Sequence, residues 1–200
     1  MLFSCKPKPI NNNVNQVADF CLEEFPLDMT EDRSPDDPPE KAQYLIIHCT
    51  ATLPSVHWTK EDILRFFKED RQWSRPGYRD FIDKDGVLHN LRPYDNDGYI
   101  QYEEATWGAR GYNWISWHIA YDGGVDQLLK GADTRNDAQI KALRNYVTVI
   151  KTMFPEIKIM GHRDLPGVNK ACPSFDVHSD FEESLVDLND MFDMSVDSLD

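Results

Sequence analysis

Residues 44–52 read YLIIHCTAT. The run is apolar and rich in β-branched side chains, which marks a buried strand. Side chains on a strand alternate between its two faces. Leu45, Ile47 and Cys49 therefore share one face, and Ile46, His48 and Thr50 share the other. Cys49 is assigned to the core. His48 sits near the C-terminal end of the strand, where sites open in α/β sheets.

Working outward, TKEDILRFFKEDRQW (residues 59–73) reads as a helix. Thr59 with Asp62 three residues later resembles a capping box, and Ile63, Phe66 and Phe67 form its apolar stripe. YRDFIDKDG and VLHNLRP pair as a β-hairpin around Lys84-Asp85-Gly86. Residues 93–115 form one long loop, a length usually tied to function. SWHIAYDGG is a further strand. NDAQIKALRNYVTVIKTMF is a helix with Ile140, Leu143, Val147, Ile150 and Phe154 on one face. IKIMGH is a short strand, and Phe181, Leu185, Leu188 and Phe192 mark a last amphipathic segment. The fold class expected is α/β: a single domain with a central mixed β-sheet flanked by helices.

The 200 residues allow one domain and some tail. Residues 1–42 mix acid with Pro and Asn and are expected as an extended, acidic arm, with a short helix near residues 14–24. It is expected to be a tail or an arm that docks a protein partner. The domain is expected over 43–195, with an acidic tail at 196–200. The net charge of −14 argues against nucleic-acid binding, which rests on Lys and Arg neutralising phosphates. Four scattered cysteines make no disulfide framework. No apolar run reaches the ~18 residues of a membrane span, so no stable membrane insertion is expected. MLFSCKPKPI has a lipobox-like LFSC but no basic n-region and hardly any apolar h-region, so no signal peptide is expected.

The chemistry concentrates in GHRDLPGVNKACPSFD, residues 161–176. His162 and Cys172 are both metal-ligand types, yet ten positions apart, unlike a zinc-finger knuckle. If the strands ending in His48 and His162 are neighbours, His48, His162 and Cys172 converge. Two imidazoles and a thiolate leave a tetrahedral zinc one open position, the catalytic pattern. Spacing alone does not select this trio, because six histidines offer others. His57, His89, His118 and His178 are assigned structural or solvated roles, with His118 the one able to touch a site from its strand.

HCTAT, GYRDFIDKDG, GARGYN, DGG and GHRDLPGVNKACPSFD, in that order, resemble the zinc-dependent N-acetylmuramoyl-L-alanine amidases, including amidase-type phage lysozymes and peptidoglycan recognition proteins. The likeness covers about residues 43–180. It implies a peptidoglycan recognition protein/amidase-like fold and one Zn2+ ion held by His48, His162 and Cys172. It implies catalytic roles for Tyr78 and Lys170, and cleavage of the amide between N-acetylmuramic acid and L-alanine. The partner is then peptidoglycan, through its stem peptide and N-acetylmuramic acid, with Trp107, Arg110 and Asn113 lining the substrate groove. The alternative is a non-catalytic peptidoglycan-binding or protein-binding module, which predicts loss of one of these residues; none is lost. The enzyme is expected as a monomer, made in the host cytoplasm and acting on the wall after release, or else virion-borne or secreted. Two positions depart from the family. Gly108 stands where the phage lysozyme has a histidine, and His118 is bulkier than its counterpart.

Overall fold

The computed structural model of the protein describes residues 33–181. Among these residues the strands and helices run in the order β1 (Glu40–Lys41), β2 (Tyr44–Cys49), α1 (Lys60–Arg65), β3 (Asp80–Ile82), β4 (Leu88–Asn90), β5 (Tyr99–Ile100), β6 (Ser116–Tyr121), α2 (Asp137–Met153) and β7 (Lys158–Gly161). Five strands form one sheet in the order β4-β3-β6-β2-β7. β3, β6, β2 and β7 run parallel, and the β3–β4 hairpin is antiparallel. The mixed sheet expected from the sequence is present.

β2 is the second strand from one edge and carries the alternation read from YLIIHC. Leu45, Ile47 and Cys49 join Ile82, Trp117, Ile119 and Tyr121 in one apolar layer beneath α2, which contributes Leu143, Tyr146, Val147 and Ile150. On the other face, Phe81 packs with Ile63, Phe67, Trp58 and Leu91, and Ile46 packs with Ala109 and Leu165. Helices and loops thus cover both faces, and His48 points into the side away from α2.

Both helices start as their sequences dictate. The Thr59 side chain accepts from the Asp62 N–H, and the Asp62 carboxylate accepts from Thr59 N–H at 3.0 Å, closing the expected capping box. Asn136 and Gln139 do the same for α2. The Gln139 amide also donates to the Asp122 carbonyl at 2.8 Å, fastening the start of α2 to the end of β6. The hairpin turns at Gly86, whose φ is +77°. The expected stripe of the first helix is only partly regular: after Arg65 the chain widens into one π-helical turn, 66–70, in which Arg71 N–H reaches the Phe66 carbonyl.

The last ten residues of the expected arm, 33–42, are described. Within them, β1 pairs antiparallel with β5, and Ala42 is buried. The helix expected near residues 14–24, the segment beyond Phe181 and the tail at 196–200 lie outside the described residues. No helix among the described residues is long and apolar enough to cross a membrane.

Gly124 follows β6 with φ +102°, and a Cβ there would stand 2.3 Å from Cys49 Sγ. Backbone conformation and close packing both demand glycine. Gly124→Ala is expected to destabilise the fold by about 3 kcal/mol, read as a lower urea midpoint with an unchanged slope. An unchanged midpoint would contradict this packing.

Candidate metal centre and cleft

The parallel register brings the site together. β2 and β7 pair Ile47 with Gly161, so His48 and His162 emerge side by side at the C-terminal ends of adjacent strands. Their rings lie 4.6 Å apart, centroid to centroid. After His162 the chain makes a turn of 3₁₀-helix, in which the Asp164 carboxylate accepts from Gly161 N–H at 2.8 Å. The Pro-Gly loop then doubles back. Arg163 N–H donates to the Cys172 carbonyl at 2.7 Å, and the Tyr121 hydroxyl donates to the Pro173 carbonyl at 2.7 Å. These two bonds fix Cys172 beside β2, where its Sγ lies 3.8 Å from His48 Nδ1 and accepts from Cys49 N–H at 3.3 Å. One ligand atom from each of His48, His162 and Cys172 lies within 4.8 Å of the others.

Burial sets the protonation of this trio. It holds His48 well below the ordinary histidine value, with His162, His118 and Lys170 adding to the effect. His162 is lowered to about 4, first by burial and then by the Lys170 charge. Both imidazoles are therefore neutral at pH 7, with lone pairs available. Burial pushes the Cys172 thiol well above its ordinary value. The thiol keeps its proton until a cation displaces it.

His48, Thr50, Phe66, Trp73, Tyr78, Trp107, Arg110, Lys170 and Cys172 line one cleft of about 120 Å³. A second groove, with Tyr112 and Asn169 on its walls, shares Arg110, His162 and Lys170 with the first. The two adjoin at these shared residues, as a trough beside the trio. The Tyr78 ring lies 5.0 Å from His48, and its hydroxyl donates to the Cys49 carbonyl at 3.4 Å. Burial, followed by the thiols of Cys172 and Cys49, holds the phenol well above its ordinary value, so Tyr78 is a proton donor at neutral pH. Trp107 meets Trp73 edge-on at 6.1 Å.

Asn113 is absent from the lining of both grooves. It is buried, and its Oδ1 accepts from Ala109 N–H at 2.9 Å, so it holds the loop that carries Trp107 and Arg110. His57 and His178 are exposed. His89 pairs with Asp83 at 2.6 Å. Asp176 accepts from Ser179 N–H. His118, by contrast, is fully buried, with its Nδ1 3.0 Å from His48 Nε2.

Two features had no clear mark in the sequence. Phe66, at the start of the π-helical turn, and Trp73, just after it, both line the cleft. Asp122, in DGG, is buried. It accepts from the Thr50 hydroxyl at 3.1 Å, the Thr52 hydroxyl at 2.5 Å and Trp58 N–H at 2.9 Å. It thereby clamps the loop that follows His48.

The Endolysin of Klebsiella phage KP32 is 29% identical over 145 residues, covering 72% of this chain and 89% of that one. Among solved structures, the Ph2119 endolysin from Thermus scotoductus MAT2119 bacteriophage Ph2119 superposes with a TM-score of 0.56 at 23% identity, covering 72% of this chain and 84% of the other. Drosophila PGRP-LB superposes with a TM-score of 0.52 at 20% identity, over 72% and 84%. These likenesses agree with the mixed sheet and its flanking helices. A family model described as N-acetylmuramoyl-L-alanine amidase matches residues 38–175, a span that holds the whole five-stranded sheet, both helices and the trio, and the chain belongs to that family.

Proposed function

We propose that the chain is a zinc-dependent hydrolase that cuts the amide bond between N-acetylmuramic acid and L-alanine in peptidoglycan, with His48, His162 and Cys172 holding one zinc ion. The observation that carries this is the convergence of two neutral imidazoles and a thiol inside the trough of an amidase-family fold. The donor set fits the ion. Ligand atoms around a tetrahedral zinc stand roughly 3.3–3.6 Å apart, given bonds of ~2.0–2.1 Å to nitrogen and ~2.3 Å to sulfur. The 3.8 Å between His48 Nδ1 and Cys172 Sγ is close to that spacing. Three protein ligands leave a fourth position for substrate chemistry.

When bound, zinc supplies a Lewis acid that polarises the amide carbonyl and lowers the pKa of water to about 7. The remaining work falls to this chain's side chains. Lys170 places its positive charge beside His162, where negative charge develops on the amide oxygen. Tyr78, held protonated, turns its hydroxyl from the long bond to Cys49 towards the reacting atoms. Phe66, Trp73 and Trp107 wall the cleft with apolar surface, which excludes water and packs against sugar or peptide. Arg110 is exposed at the junction of the two grooves and pairs with a stem-peptide carboxylate. Asn113 serves substrate indirectly, through the loop it holds. The enzyme acts on the wall after release from the cytoplasm.

Zinc binding must displace the Cys172 proton. The apparent zinc affinity is therefore expected to rise about tenfold per pH unit between roughly pH 6 and 8. It falls more steeply below about pH 4, where His162 also takes a proton. Competition with a chelator at several pH values measures this, and a flat profile would contradict a thiolate ligand. Metal analysis tests the reading as a whole. One zinc per chain is expected, with amidase activity lost on chelation and restored by zinc. Full activity in zinc-free protein would end it.

A further inference from the structure

β6 delivers a third imidazole to this centre. β2 and β6 pair Ile46 with His118 and His48 with Ala120, so His118 lies on the same sheet face as His48, one step back along the neighbouring strand. His48 uses its two nitrogens in different directions. Nδ1 faces Cys172 Sγ at 3.8 Å, and Nε2 faces His118 Nδ1 at 3.0 Å. A metal on Nδ1 needs the lone pair there, which leaves the proton on Nε2. That N–H then donates to His118 Nδ1, and the proton of His118 sits on its own Nε2. This Nε2 is buried without a hydrogen-bond partner among the described residues. An unpaired buried donor costs about 1–3 kcal/mol, so packing alone does not favour histidine at this position.

Room for the ring comes from the loop opposite. A Cβ on residue 108 would lie 2.5 Å from both Cγ and Nδ1 of His118. The imidazole therefore fills, from the strand, the volume a side chain at 108 would fill from the loop. Gly108 and His118, the two positions noted in the sequence, thus share one volume.

We propose that His118 is a positioning residue for the metal centre. It accepts the His48 Nε2–H, fixes which nitrogen His48 offers to zinc, and depends on glycine at 108 for its place. Ligand histidines usually donate their second N–H to a carboxylate, a carbonyl or water. A neutral imidazole accepts the same N–H without adding negative charge.

The inference rests on the zinc reading above, and its test reads metal affinity rather than activity. Zinc affinity of the full chain is measured by chelator competition for wild type, His118→Asn and His118→Leu. Asn keeps an acceptor near the place of Nδ1; Leu keeps bulk without one. His118→Leu is expected to bind zinc 10–100-fold more weakly and to change the visible spectrum of the cobalt-substituted protein. His118→Asn is expected to stay within about threefold of wild type, with its cobalt spectrum unchanged. Should His118→Leu fail to fold, His118→Ala supplies the acceptor-free comparison. Equal affinities in all three proteins, or equal losses in both variants, would overturn the proposal and leave the zinc reading standing. Wild type without measurable zinc affinity would overturn both.

Discussion

Cys172→Ser is expected to purify without zinc and to lose amidase turnover by ~10³-fold or more, while its far-ultraviolet circular dichroism matches wild type. The thiolate supplies the one negative charge in the trio, beside two neutral imidazoles. A serine hydroxyl in the same buried place does not ionise near neutral pH, so the donor set loses its charge and its soft ligand. The fold is expected to survive. Anchorage of the loop runs through the Cys172 carbonyl to Arg163 N–H and the Pro173 carbonyl to the Tyr121 hydroxyl, and the substitution touches neither. A variant that kept one zinc and wild-type turnover would remove Cys172 from the ligand set.

Lys170→Ala is expected to lower kcat by ~10²–10³, about 2.7–4 kcal/mol of barrier, at unchanged zinc content. Its positive charge acts on His162, His48 and Cys172, so it lies within electrostatic reach of all three ligands. A cation there repels the metal in the ground state and meets the oxygen only as charge builds on it. Loss of the lysine therefore falls on turnover rather than on metal retention or KM. Steady-state kinetics on soluble muropeptides, paired with metal analysis, separates the two. Lost zinc with unchanged kcat per zinc-loaded enzyme would make Lys170 a structural neighbour instead.

Much of this arrangement is legible in local sequence. Alternation along YLIIHC separates His48 from Cys49, and the structure puts Cys49 in the α2-side core and His48 on the opposite face. Thr59-Asp62 caps α1, and Gly86 turns the hairpin. These features depend on neighbours within a few residues, where the backbone periods of helix and strand act directly. The rest depends on register between distant segments. His118 meets His48 only because β6 pairs in parallel with β2, 70 residues upstream. Asp122 gathers Thr50, Thr52 and Trp58 across the same gap. Asn113 turns inward to its own loop, a choice that GYN does not encode. β1 finds β5 inside a segment whose acid and Pro content reads as extended arm.

The bond that is cut tests the account most directly. Purified peptidoglycan is digested with zinc-loaded enzyme, and the new chain ends are labelled and identified. Free L-alanine amino termini are expected, with no new reducing sugar ends, and both lysis and new termini are lost when the zinc is chelated. New reducing ends, new termini at a residue other than L-alanine, or intact peptidoglycan from the zinc-loaded enzyme would contradict it.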